Sequence, residues 1–148
     1  MQNLRILCCE DSEPIAILLH TLLTTRGAEL ALCDDGQMGV DAFDEAMTAG
    51  VPFDLVIMDM QMPILDGYEA TPIIKQLAPG VPVIALTAFA LQEDSQRCLD
   101  AGCDFYLTKP IDPSTFARQI HNLYRDFSNH LDNDTPETPT SNPFSPRQ

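Results

Sequence analysis

Asp59 closes the apolar run Leu55-Val56-Ile57-Met58, and Met60-Gln61-Met62-Pro63-Ile64-Leu65-Asp66-Gly67 follows it. A carboxylate at the end of such a run can serve as a nucleophile, a base or a cation ligand. Taken alone, Asp59 reads better as a strand-end acid that caps the turn signalled by Pro63 and Asp66-Gly67. Three other apolar runs also end in chemistry. Leu4–Cys9 runs into Glu10-Asp11, Val81–Leu86 into Thr87, and Phe105–Thr108 into Lys109. Singly, each has a structural explanation. Glu10 and Asp11 suit a helix entry, Thr87 a helix cap, and Lys109 any acidic neighbour. Together they describe one site. Three carboxylates repel one another unless a cation joins them, and hard oxygen ligands around an open position suit Mg²⁺. A lysine and a threonine hydroxyl suit phosphate oxygens. Nucleophile, metal and compensating charge are what phosphoryl transfer onto a carboxylate requires.

The convergence needs the runs to be parallel strands of one sheet, and the intervening segments supply the helices. Ser12 with Pro14 opens a helix; Ile15, Leu18, Leu19, Leu22 and Leu23 share one face, and Gly27 ends it. Glu29–Cys33 is a second strand, and Asp34-Asp35-Gly36 turns into a helix marked by Val40, Phe43 and Met47. Asp66 and Glu69 have capping-box spacing. Pro72 lies within the helix they start, so this helix is either kinked or restarted at Thr71. Gln92–Ala101 is a polar helix with Cys98 and Leu99 inward. Asp112-Pro113 starts a last one with Phe116, Ile120, Leu123, Tyr124 and Phe127 on one face. Five strand–helix units in strict alternation predict an α/β fold, a doubly wound parallel sheet with helices on both faces.

The chain has 148 residues and a formal net charge of −14. That charge opposes binding to nucleic acid or to an anionic membrane, and the longest apolar stretch is too short to span a bilayer. Cys8, Cys9, Cys33, Cys98 and Cys103 lack zinc spacing and read as free, buried thiols of a reducing cytoplasm, with a redox sensor as the lesser alternative. Residues 1–127 are expected to form one domain. Residues 128–148, rich in Asn, Thr, Ser and Pro, are expected to be a disordered tail or linker. His20 and His121 fall on helices, and none of the three histidines, His130 included, has a signalling context.

On these residues the chain resembles the response-regulator receiver domains of two-component signalling, and in particular those of hybrid sensor histidine kinases. The resemblance rests on Glu10-Asp11, on Asp-x-x-Met-Pro-x-x-Asp-Gly from Asp59 to Gly67, on Thr87-Ala88 and on Lys109-Pro110. It covers roughly Leu4 to Phe127. It implies a flavodoxin-like (βα)5 sheet of order 2-1-3-4-5. It also implies that Asp59 is the phosphoacceptor, that Mg²⁺ is held by Asp11, Asp59 and the backbone carbonyl of Gln61, and that Glu10 acts mainly through water. Lys109 would pair with the phosphoryl group next to a cis Pro110 bond, and Thr87 and Tyr106 would form the switch. The implied donor is a phosphohistidine on a histidine kinase or histidine phosphotransfer protein. The implied output face is helix four, strand five and helix five, where a homodimer would also form. Phe89, Ala90 and Leu91 lie beside that face.

Two other readings stay open on the sequence. One is a phosphorylation-independent docking module with a receiver fold. The other is a small phosphatase with Asp59 as nucleophile, for which a second acid two residues on is wanted and Gln61 stands there. Phe89 and Gln61 occupy positions that modulate dephosphorylation in the family, and any enzymatic activity is expected to be limited to slow self-phosphorylation and self-dephosphorylation. The implied location is the cytoplasm, tethered if the chain is part of a hybrid kinase. Direct transcriptional output through a DNA-binding module is not expected of this chain.

Overall fold

Each strand is an apolar run of four or five residues, and the computed structural model, which describes residues 3–88 and 92–133, joins the runs edge to edge. The elements are β1 (Arg5–Cys9), α1 (Glu13–Thr24), β2 (Glu29–Cys33), α2 (Gly36–Thr48) and β3 (Leu55–Asp59). They continue with α3 (Gly67–Leu77), β4 (Val83–Thr87), α4 (Gln92–Asp100), β5 (Phe105–Thr108) and α5 (Phe116–Asn133). All strand pairs are parallel, in the order β2-β1-β3-β4-β5. This is the doubly wound, flavodoxin-like arrangement expected.

Successive strand residues point to opposite faces, so each central strand feeds two cores. Leu7, Cys9, Val56, Met58, Val83 and Ala85 pack with Phe43, Ile74 and Cys98 of α2, α3 and α4. Ile6, Cys8, Leu55, Ile57, Ile84 and Leu86 pack with Leu19 and Leu23 of α1 and with Phe116 and Ile120 of α5. β3 and β4 are buried at every position. Each such aliphatic side chain contributes roughly 1.5–3 kcal/mol on burial, so the C-terminal strand tips, Asp59 among them, are anchored by the most rigid part of the molecule.

Several local expectations are refined. Ser12 is the N-cap of α1 but makes no side-chain cap bond, and Pro14 sits in the first turn. Gly27 adopts φ 98°, which a side chain rarely tolerates. In α2 Val40 and Phe43 face inward, but Met47 is 37% exposed and Ala46 takes the buried position instead. α3 is one helix through Pro72. Asp66 and Glu69 form a full capping box, so the restart at Thr71 does not occur, and Thr71 is buried in mid-helix. β4 begins at Val83, not Val81, because Pro82 has no N–H for the ladder and only its carbonyl serves, accepting from Val56 N at 3.0 Å. In α4 Cys98 is buried and Leu99 only half-buried.

α5 begins at Phe116 after a turn in which the Asp112 carbonyl accepts from Thr115 N and Phe116 N at 3.1 and 3.0 Å. It continues past Phe127 through Ser128 to Asn133, so the change of composition at Ser128 does not mark the end of the helix. Residues 134–148, most of the expected tail, lie outside the described residues, as do Phe89, Ala90 and Leu91. Among the described residues no helix is long and apolar enough to cross a membrane.

Candidate functional site

β1, β3, β4 and β5 all end at the same edge of the sheet, and residues at or just after their ends meet there. Asp59 is the last residue of β3 and is 2% exposed; Glu10, just after β1, is 1% exposed. Asp11 is exposed. One carboxylate oxygen from each of Glu10, Asp11 and Asp59 lies within 4.8 Å of the others. Lys109, just after β5, reaches across to them. Its Nζ stands 3.4 Å from Asp59 Oδ1 and 3.2 Å from Glu10 Oε1, and it donates to Glu10 Oε2 at 3.4 Å. Thr87, the last residue of β4, is buried beside this group, and its carbonyl accepts from Lys109 N at 2.8 Å. The Lys109–Pro110 bond is cis.

The backbone after Asp59 is shaped for the site. Gln61 N–H donates to Asp59 Oδ1 at 3.1 Å, which turns the carboxylate toward the loop. Gly67 N donates to the Met60 carbonyl at 3.3 Å, which folds the loop back on the strand end. Ile64, at the tip, has φ 71° and is 80% exposed. The Leu65 N to Pro63 O bond at 2.7 Å closes a γ-turn around it, a strained conformation for a β-branched residue.

Burial dominates the electrostatics. Asp59 is pushed from the ordinary carboxylate range up to about 7, chiefly by desolvation, with the Glu10 charge adding to the rise. The Gln61 N–H and the Lys109 ammonium work against it. Lys109→Met removes the only ammonium facing the two buried carboxylates among the described contacts, so Asp59 should titrate higher still. A carboxyl ¹³C NMR titration reads this directly, and an unchanged or lower midpoint in the variant would contradict the assignment of the Lys109 contact.

The same balance tests the donor set against a metal. Glu10 Oε1 is buried without a hydrogen bond, since the nearby ammonium is out of alignment for one. Asp11 opens on solvent, where a hard cation keeps its waters. Two buried carboxylates, an open third and one lysine fit a small divalent cation.

Tyr106 lies on β5 opposite Ala85, 41% exposed, while its neighbours Phe105 and Leu107 turn to the α5 side. It therefore shares the α4 face of the sheet with Thr87, two ladder positions away. Two residues that the sequence reading did not single out complete the surroundings. Arg97 of α4 stacks its guanidinium 3.8 Å from the ring centroid of Tyr68 in α3. With Asp11, Gln61 and Asp66 they line a depression of about 350 Å³ beside the carboxylates. No local signal could have found this pair, because it joins two helices. His20 is exposed and His121 half-buried, both outside the site.

Comparison with known proteins gives a consistent picture. Residues 6–121 match the response regulator receiver domain model. The chain is 38% identical over 121 residues to hybrid signal transduction histidine kinase I of Dictyostelium discoideum, an alignment covering 79% of this chain and 7% of that protein. It is 36% identical over 121 residues to the sensor histidine kinase GacS of Pseudomonas protegens, covering 78% of this chain and 13% of that protein. The chain thus spans a small part of these relatives. Among solved structures, a CheY-like receiver domain protein of Methanospirillum hungatei superposes with a TM-score of 0.76 at 25% identity, covering 87% of this chain and 99% of that one. The receiver domain of the sensor histidine kinase PA1611 of Pseudomonas aeruginosa superposes at 0.72 with 31% identity, covering 84% and 97%; its structure has a magnesium ion coordinated in the active-site cleft.

Proposed function

From the premise that the chain belongs to the response regulator receiver domain family, a family of two-component signal transduction, we propose that Asp59 accepts a phosphoryl group from a partner phosphohistidine. The observation that carries this is the contact of one half-buried ammonium, Lys109, with two buried carboxylates, Glu10 and Asp59. Two carboxylates this well buried are costly to keep for stability alone. In the transfer the Asp59 carboxylate oxygen attacks phosphorus, the new O–P bond forms and the N–P bond of the donor breaks. Gln61 N–H and Lys109 hold Asp59 Oδ1, so the nucleophile does not rotate as the donor approaches. Lys109 is also placed to pair with a phosphoryl oxygen, and Thr87 to donate its hydroxyl to another. Mg²⁺ held by Asp11, Asp59 and the Gln61 carbonyl, with Glu10 acting through water, would offset the charge that gathers on the phosphoryl oxygens.

The donors proposed are a histidine kinase or a histidine phosphotransfer protein. The phosphoryl group carries a charge of about −1.5 to −2 in place of the carboxylate's single one, and this change biases Thr87 and Tyr106 and so reshapes the α4–β5–α5 face. The same face would pair two copies of the chain, and the oligomeric state of the phosphorylated protein in solution measures this.

Intact-mass measurement with a small acyl phosphate donor tests the proposal. One covalent phosphoryl group should appear only with Mg²⁺ present and map to Asp59; a group that maps elsewhere sinks the assignment. Cation binding should also depend on pH. Mg²⁺ competes with a proton for Asp59, whose value in the metal-free fold is about 7. Affinity should therefore fall roughly tenfold per pH unit below neutrality and level off above it. Calorimetric titration at several pH values measures this, and a flat profile between pH 5 and 8 would count against Asp59 as a ligand.

A further inference from the structure

Cys9 and Cys33 are the last residues of β1 and β2, and they pair directly across the parallel ladder. Neighbouring strands lie about 4.8 Å apart, inside the range of about 4.4–6.8 Å between Cα atoms that a disulfide spans. Both side chains project into the same core cluster, close enough for each thiol to shift the titration of the other. Cys8 points into the opposite core, and Cys98 and Cys103 belong to α4 and the turn that leads from it to β5, at the other end of the sheet. The pair also adjoins the functional site. Glu10 follows Cys9, and its N–H donates to the Cys33 carbonyl at 2.9 Å.

We propose that Cys9 and Cys33 are a reversible modification site at which hydrogen peroxide forms an intramolecular disulfide, displacing Glu10 and Asp11 from their cation-binding positions. The displacement rests on the cation reading above; the disulfide does not. The Cys33 sulfur attacks one peroxide oxygen, the O–O bond breaks, and the departing hydroxide takes the thiol proton as water. Cys33 is then a sulfenic acid. The Cys9 sulfur attacks it, the S–S bond forms, the S–O bond breaks, and the second thiol proton leaves with that oxygen as water. Two electrons pass from the sulfurs to the peroxide, and the products are one disulfide and two waters.

Access is through β2, an edge strand held on one side only, whose ends open more readily than the sheet's centre. Cys33 is 5% exposed and Cys9 fully buried, so Cys33 meets the oxidant first. The linked Cβ atoms must come to about 3.8 Å, closer than the strand spacing. The strand ends must move to allow this, and the linkage is strained and easily reduced. The carboxylates one and two residues on are carried with the end of β1.

The test uses the full chain treated with hydrogen peroxide under native conditions, then alkylated and mapped by mass spectrometry. A Cys9–Cys33 linkage, lighter by two hydrogens and reversed by dithiothreitol, is expected, and it should persist in Cys8→Ser. The Mg²⁺ dissociation constant of the oxidised chain should rise roughly tenfold, while Cys33→Ser should bind Mg²⁺ equally before and after peroxide. Separate alkylation of both thiols after peroxide, a linkage to Cys8, or a linkage between two chains overturns the site. Complete linkage with unchanged Mg²⁺ affinity overturns the displacement. If the reduced chain binds no Mg²⁺, the cation reading fails and the mass map alone decides the disulfide.

Discussion

Asp59→Asn should abolish covalent phosphoryl acceptance and at the same time make the metal-free protein more stable at neutral pH. Both effects come from one carboxylate. The amide keeps an oxygen for the Gln61 N–H that now reaches Asp59 Oδ1 at 3.1 Å, but it has no nucleophilic oxygen anion. The gain in stability follows from the raised value of about 7, of which burial is the largest cause. In the unfolded chain Asp59 ionises near pH 4; in the fold it stays protonated up to about 7. Its favourable contribution is therefore complete below about pH 4 and is lost as pH rises through about 7. Asn cannot ionise and escapes that loss. A rise from about 4 to about 7 corresponds to about 4 kcal/mol, and with solvent screening the advantage of the variant should grow from near pH 4 to a plateau above neutrality on the order of 3 kcal/mol. Urea unfolding without divalent cation, at pH 5 and pH 8, measures the two ends. Equal differences at both pH values would mean that the buried carboxylate is not the source. Added Mg²⁺ should narrow the gap at pH 8, since a ligand of the native state stabilises only the chain that binds it.

Gly67→Ala should damage fold and site together. A Cβ at Gly67 would lie 2.7 Å from the Asp59 carbonyl oxygen and 2.7 Å from Met60 Cα, and 2.6 Å from Met60 Sδ. Two of these are backbone atoms, and the Met60 side chain is fully buried, so no flexible group can yield. The helix cannot withdraw freely either, because the Asp66–Glu69 capping box holds its first turn. The strain falls on the peptide that carries Asp59 and presents Gln61. A loss of about 1–3 kcal/mol is expected, with slower phosphoryl acceptance even at saturating Mg²⁺. Gly80→Ala is the matched control. A Cβ there meets nothing within 4 Å, and its stability should stay within about 0.5 kcal/mol of the parent. Normal phosphorylation of a destabilised Gly67→Ala chain would separate the helix contact from the site and defeat the argument.

Much of this protein was legible in one dimension. The alternation of apolar runs with helical spacing specifies five strands and five helices, and strictly alternating strand–helix units admit few topologies. The residues at the ends of the runs name the chemistry by type alone, because an acid pair, an aspartate, a threonine and a lysine have little reason to gather at one edge except a charged ligand.

Only the tertiary structure decided the rest, and the cause is the same each time. Local propensity depends on near neighbours, whereas burial, register and titration depend on groups distant in the chain. Glu10 and Asp11 look equivalent in sequence; the fold buries the first against Lys109 and leaves the second in solvent. Pro72 reads as a kink or a restart, yet capping and the buried Thr71 and Ile74 carry one helix, α3, through it. Tyr68 and Arg97 meet only because two helices pack side by side. Cys9 and Cys33 become a pair only through strand register. Asp59 was nameable from its sequence motif, but its rise to about 7 required the sheet that removes it from water and brings Glu10 and Lys109 to its side.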